Sequence, residues 1–306
     1  MEPNTIEAKG LTKKYADKIA VDGIHFYVKK GECFGVLGPN GAGKSSTMRM
    51  MYGLSSINQG DLYILGMNMK THSKDVKARI GVVPQEDGLD LDFSVLDNLL
   101  VYASYHQIGF NQALESSKQL LRMMKLDDVW QSPVEQLSGG MKRRLTIARS
   151  MINHPDLLFL DEPTTGLDPQ ARHFIWDLLR KFKADEKTIV LTTHYMEEAE
   201  LLCDRIAMMN QGKIIAIGTP LELIQQFVGV QVLEVGLKPE DIPYYSRRLL
   251  QDQFDFLALD AKIMIFLKKT YKLENVLNII PSQEIILRSA SLNDVFLRLS
   301  GYELKD

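Results

Sequence analysis

Residues Gly38-Pro39-Asn40-Gly41-Ala42-Gly43-Lys44-Ser45 constrain the fold of this chain more than any other stretch. Glycines at 38, 41 and 43 let consecutive backbone N–H groups turn inward with no side chain in the way. The apolar run before them, Glu32-Cys33-Phe34-Gly35-Val36-Leu37, reads as a buried strand. The stretch from Lys44 through Ser45-Ser46-Thr47-Met48-Arg49-Met50-Met51 reads as a helix. A glycine-rich turn between strand and helix offers unpaired N–H groups at a helix N-terminus, where anions are favoured. The pattern predicts a cradle for a nucleoside triphosphate made by Gly38, Pro39, Asn40, Gly41, Ala42, Gly43, Lys44, Ser45 and Ser46. Lys44 would reach the β- and γ-phosphate oxygens, and the Ser45 hydroxyl would ligate Mg²⁺.

A second glycine string, Leu137-Ser138-Gly139-Gly140-Met141, lies far downstream and opens another predicted helix, Gly139 to about Asn153, ahead of Pro155. It is a second place to receive phosphate. One compact domain cannot easily wrap both strings around one nucleotide. The economical expectation is that two copies of the chain sandwich ATP between them.

The rest of the pattern alternates strand and helix. Residues 5–30 read as antiparallel strands, with a short strand pair near 60–66 and a strand Ile80-Gly81-Val82-Val83 ending in Pro84-Gln85. Helical periodicity runs from about 93 to 129. A buried strand Leu157–Asp161, a helix near 169–183, a strand Thr188–Thr193 and a helix from about Met196 follow. This predicts an α/β parallel-sheet nucleotide-binding core over residues 1–222, with an antiparallel β subdomain and a helical insertion at about 88–153. Residues 223–306 read strand (231–236), helix (240–251), strand (255–259), strand (262–267), helix (271–279), strand (284–288), helix (291–299). That order predicts a small ferredoxin-like α+β domain.

Strand 157–160 ends in two carboxylates, Asp161 and Glu162, which the sheet delivers to its ligand-binding edge. Asp161 is expected in the Mg²⁺ shell. Glu162 is placed to polarise a water for in-line attack on a γ-phosphate. His194 closes the next strand, Thr192-Thr193-His194, within expected reach of the same phosphate.

Net charge of −3 and a pI near 6.1 give no electrostatic footprint for nucleic acid. Cys33 and Cys203 lie in apolar stretches and read as buried thiols, not a disulfide or metal pair. No run approaches the length of a membrane span, and Met1-Glu2-Pro3-Asn4-Thr5 lacks the features of a secretory signal. The expectation is a soluble, cytoplasmic protein unless something tethers it.

Together, residues from about 5 to 220 resemble the ATP-binding subunit of ABC transporters, with every expected element in order. The resemblance implies that Tyr15 stacks on adenine and that Gln85 touches Mg²⁺ and the attacking water beside the membrane partner. It implies that Ser138, Gly139 and Gly140 contact the γ-phosphate held by the opposite subunit, and that Asp168 belongs to the segment coupling the two sites. No catalytic position departs from the family pattern. Further implications are a head-to-tail ATP dimer, multi-span permease subunits as separate chains, and a place at the cytoplasmic face of the membrane. Docking is expected near Gln85, where Glu86-Asp87-Gly88-Leu89-Asp90-Leu91-Asp92-Phe93 lies. Residues 81–90 and Ser291-Leu292-Asn293-Asp294-Val295-Phe296-Leu297 resemble exporters of drugs, lipo-oligosaccharides or polysaccharides, of the nodulation and anthracycline types. Two rivals stand beside this reading. One is a soluble ABC-type ATPase acting on DNA or ribosomes, disfavoured by the absence of a heptad run and of a basic surplus. The other is a non-hydrolysing regulator, which Glu162 argues against.

Overall fold

The computed structural model describes residues 4–267, 273–280 and 284–300. The chain divides into two compact units, Met1–Ile215 and Ala216–Asp306. The sequence reading drew this division at 222/223.

In the first unit the elements run β1 (Ile6–Tyr15), β2 (Lys18–Val28), β3 (Cys33–Leu37), α1 (Lys44–Met51), β4 (Gln59–Ile64), β5 (Met67–Asn68), α2 (Ser73–Arg79) and β6 (Ile80–Val83). Then come α3 (Val95–Tyr105), α4 (Phe110–Met123), α5 (Gly139–Ser150), β7 (Leu157–Asp161), α6 (Pro169–Ala184), β8 (Thr188–Thr193), α7 (Met196–Leu202) and β9 (Arg205–Asn210). Strand β10 (Lys213–Gly218) runs across the division. One sheet has the order β2-β1-β4-β5 and is antiparallel. The other has the order β10-β9-β3-β8-β7-β6, and its strands from β9 to β6 are parallel.

Every residue of β3, β7 and β8 is buried. Strands covered on both faces need unbroken apolar runs, which is why these three were legible as strands. Their register sets Leu37 beside Thr193 and Asp161 beside Thr192, so three chain segments leave the sheet at one edge. That edge is where open α/β sheets bind ligands.

Sequence periodicity did not reveal α2, the β9–β10 hairpin or α8 (Pro220–Phe227). Helix α2 buries only Val76 among charged neighbours, so no apolar stripe exists to be read. The hairpin turns through Gln211 (φ 47°) and Gly212 (φ 79°), the paired left-handed geometry of a tight two-residue connection. Its strand β9 carries Ala207, Met208 and Met209, which signal strand weakly.

The second unit continues after α8 with β11 (Gln231–Gly236), α9 (Ile242–Gln251), β12 (Phe256–Ala258), β13 (Lys262–Leu267), α10 (Leu273–Ile279), β14 (Ile285–Ser289) and α11 (Leu292–Ser300). The sheet order is β12-β13-β11-β14, antiparallel throughout. This is the ferredoxin-like arrangement. Its core gathers Leu233, Val235, Ile263 and Ile265 from the strands with Leu249, Val276 and Ile279 from the helices. Residues 271 and 272 of the expected helix 271–279 lie outside the described residues. Arg288 forks between Glu234 (2.6 Å) and the fully buried Asp294 (2.6 and 2.8 Å). Asp294 in turn accepts from the backbone N–H of Ser291 at 2.8 Å, fixing the start of α11.

Cys33 and Cys203 are both buried free thiols. Among the described residues no helix is long and apolar enough to cross a membrane.

Candidate functional site

The loop after β3 is held open by backbone approach. Gly43 lies at φ 104°, and a Cβ there would meet the Ala20 carbonyl oxygen at 2.4 Å. A Cβ on Gly38 would meet the Met209 carbonyl oxygen at 2.3 Å. The loop is pinned from outside by the Gly212 N–H, which donates to Ala42 O at 2.9 Å. Thr47 closes the first turn of α1, donating from both N–H and Oγ1 to Gly43 O at 2.9 Å. Lys44 follows at the helix start and is 4% exposed. Its Nζ donates to Gly38 O (2.9 Å) and Pro39 O (3.2 Å) and pairs with Glu162 Oε1 at 3.4 Å. Burial pushes the Lys44 ammonium below the usual lysine range, against the pull of Glu162 and Asp161.

Strand β7 brings the carboxylates to the same place. Asp161 Oδ1 accepts from Thr192 Oγ1 at 2.5 Å and from Ser45 Oγ at 3.3 Å. Burial pushes its carboxyl up, while those two hydroxyls pull it back down and the Glu162 charge adds to the rise. Ser45 and Asp161 are hard oxygen donors, with the Gln85 amide nearby. A single carboxylate joined by a hydroxyl suits Mg²⁺, which otherwise takes its ligands from water and phosphate.

Glu162 adopts φ 48°, a left-handed conformation that costs a non-glycine residue about 1–3 kcal/mol. The surrounding bonds over-determine it. Its N–H donates to Thr192 O (3.2 Å) and Thr192 Oγ1 (3.0 Å). The side chain, 6% exposed, is ringed by donors. Opposite the Lys44 contact, Oε2 accepts from Thr165 Oγ1 (3.2 Å) and Gln85 Nε2 (3.4 Å). His194 Nδ1 stands 3.5 Å from Oε2, buried and without a hydrogen-bond partner. Tyr15, Lys18, Asn40, Gly41, Gly43, Lys44, Ser45, Ser46, Gln85 and Glu162 line one cavity of about 360 Å³. The Tyr15 ring is 43% exposed at its mouth, with Lys13 Nζ 4.8 Å from the ring centroid.

Ser138, Gly139 and Gly140 are not part of this constellation. Ser138 caps α5, its Oγ accepting from Met141 N at 3.3 Å, and with Gly140 it lines a different cavity of about 290 Å³. Lys125, Arg144, Asp168, Gln170, Ala171 and Phe174 complete that second lining. Asp168 caps α6 through Ala171 N at 2.9 Å. The two cavities share no lining residue.

Sequence reasoning missed several residues that shape the site. Thr192 and Thr165 carried no assigned role, because hydroxyls this common have no pattern of their own. Glu198 is fully buried, accepting from Thr164 Oγ1 (2.8 Å) and Trp176 Nε1 (2.9 Å), and burial pushes its carboxyl up. Arg143 is 4% exposed and donates to Pro84 O, Asp87 Oδ1, Asp161 O, Glu162 O and Pro163 O. In the run Lys142-Arg143-Arg144 it gives no sign of burial.

The family described as ABC transporter matches residues 21–165. The chain is 42% identical over 308 residues to the Nod factor export ATP-binding protein I of Ralstonia nicotianae, spanning 98% of this chain and 95% of that protein. It is 43% identical over 314 residues to the protein of the same name from Paraburkholderia xenovorans, spanning 100% of both. Among solved structures, a dimeric ATP-binding cassette in a post-hydrolysis state bound to ADP and Pi aligns with a TM-score of 0.65 at 25% identity. It covers 70% of this chain and 98% of its own. The cbiO1 protein of Clostridium perfringens, part of an ABC transporter complex, aligns with a TM-score of 0.67 at 26% identity, covering 82% and 98%.

Proposed function

The chain belongs to the ABC transporter family, as an ATP-hydrolysing subunit, and from that premise we propose how its residues divide the work and what it drives. Two copies close head to tail on two ATP molecules. Each triphosphate lies between the Lys44 cavity of one copy and the Ser138 turn of the other. The observation that carries this reading is the separation of those two cavities on one chain, since neither lining includes a residue of the other.

Within one site, the N–H groups of the loop and the Lys44 ammonium hold the β- and γ-phosphates. Glu162 takes a proton from the attacking water as that oxygen bonds to phosphorus. The bond from the γ-phosphorus to the bridging oxygen breaks, giving ADP and phosphate. Thr165 and Gln85 aim the carboxylate through Oε2. His194, its Nδ1 3.5 Å from Glu162 Oε2, is placed to sense the γ-phosphate and orient the water. Mg²⁺, held by Ser45, Asp161 and Gln85, would neutralise charge on the phosphate oxygens. Tyr15 supplies the stacking surface for adenine.

The partner is a multi-span permease in separate chains, engaged from the cytoplasmic face near Gln85. The relatives are named for Nod factor export, which supports export as the direction here. Detergent extraction of membranes should recover a polytopic permease with the tagged chain. ATP should raise the dimer fraction in light scattering, and Ser138→Arg should abolish that rise while ATP binding persists. An ATP-dependent dimer that survives Ser138→Arg would refute the head-to-tail arrangement.

Tyr15→Leu should weaken ATP binding by about 1–3 kcal/mol, the usual value of a base stacked on an aromatic ring. Because the ring is exposed, this substitution should leave the thermal midpoint nearly unchanged. Titration with a fluorescent adenine nucleotide measures the first and calorimetry the second.

A further inference from the structure

We propose that Arg143 is a positioning residue for hydrolysis: one guanidinium fixes both the turn that carries Glu162 and the segment that carries Gln85. The proposal rests on the role of Glu162 given above. Arg143 Nε donates to Pro163 O at 2.8 Å, and Nη2 donates to Asp161 O (3.0 Å) and Glu162 O (3.1 Å). Nη1 donates to Pro84 O at 2.6 Å, one residue before Gln85, and to Asp87 Oδ1 at 3.3 Å. The carbonyls of residues 161–163 follow β7 through a turn that includes the left-handed Glu162. A planar fork satisfies them from one centre, which an ammonium cannot do.

The neighbouring residues of α5 separate this role from simple packing. Thr146 Oγ1 donates to Asp87 Oδ1 at 3.2 Å, and Arg149 donates to Asp87 O (2.8 Å) and Gly88 O (2.6 Å). Loss of Arg143 therefore leaves the 87–88 end of the segment anchored. What goes is the hold on Pro84 and on the Glu162 turn. The helix concerned, α5, is capped by Ser138, so the same side chain ties three functional segments to one rod. With its grip lost, Glu162 keeps its charge and its place in sequence but samples other orientations. The defect belongs to turnover, not to ATP capture, because among the described residues no hydrogen bond or ion pair joins Arg143 to Lys44 or to the glycine loop.

The test uses the full chain with Arg143→Gln and Arg143→Lys, each alone and combined with Glu162→Gln. Rates are counted per ATP-binding site, so unfolded protein does not register. Arg143→Gln should lower kcat by roughly tenfold to a hundredfold with the ATP dissociation constant within about threefold. Arg143→Lys should recover part of the rate. In the Glu162→Gln background, Arg143→Gln should remove no more than about twofold further, because residues acting as a unit are not additive. Wild-type kcat in Arg143→Gln, or an equal loss with and without Glu162, overturns the proposal. Should Arg143→Gln yield no binding-competent protein, the same readings on Arg143→Lys decide. Wild-type turnover in Glu162→Gln alone would instead refute the role of Glu162.

Discussion

Glu162→Gln should lower ATP turnover by about 10²–10⁴, the span expected when a positioned general base is lost, while ATP stays bound and the dimer stays closed. The substitution preserves shape but removes both the charge and one acceptor. In the wild-type chain one carboxylate oxygen faces Lys44 and the other faces Gln85 and Thr165, so every neighbour is a donor. A glutamine offers one oxygen and must turn its NH₂ toward one of these groups. The side with Thr165 and Gln85 can adjust, since a hydroxyl also accepts and an amide can flip. Lys44 loses its counter-charge and is freer to bind phosphate, which is why nucleotide affinity should hold or rise. Single-turnover phosphate release measures the rate, and retained nucleotide with light scattering reports the closed dimer. A variant that hydrolyses at the wild-type rate, or releases ATP and falls to monomer, would remove Glu162 from the mechanism.

Legibility in the sequence followed locality. The glycine loop, Asp161 and Glu162 announce themselves because each function occupies a few consecutive residues bounded by buried strands. Their meeting was also legible, since parallel strands deliver their ends to one edge. What could not be read is how Glu162 is held. Its left-handed backbone has no sequence signature, because a glutamate gives none of the warning a glycine would. Arg143 reaches back 59 residues to Pro84 and forward 20 to Pro163. A basic residue in a Lys-Arg-Arg run is ordinarily solvated, so only three-dimensional packing identifies it as buried. The β9–β10 turn is a parallel case. The sequence assigned it no role, yet its Gly212 N–H pins Ala42 and so shapes the glycine loop. The second unit was legible as an element order because its strands concentrate apolar residues, Val232, Leu233 and Val235 in β11 and the unbroken run Ile263–Leu267 in β13. The Arg288–Asp294 pairing inside it was not.

Lys44→Ala should weaken ATP binding by at least about a hundredfold, since charge-assisted bonds to phosphate contribute about 1.5–3 kcal/mol each and more than one is lost. A second consequence distinguishes the structure from any generic loop lysine. The pair Lys44–Glu162 is buried at 4% and 6% side-chain exposure. Breaking a buried pair by deleting one partner costs about 3–5 kcal/mol, because the remaining charge is stranded. Thr165 and Gln85 still donate to Glu162, which puts the expected cost at or below the lower figure, about 3 kcal/mol. The ligand-free Lys44→Ala chain should therefore unfold at a lower temperature than wild type. Adding Glu162→Gln removes the stranded charge, so the double variant should regain most of that stability while still failing to bind ATP. Calorimetry of the four proteins, wild type, both singles and the double, gives the coupling directly. Stability losses that simply add would mean that the two charges do not act on each other in the folded chain, and that Glu162 is held by its hydroxyl and amide neighbours alone.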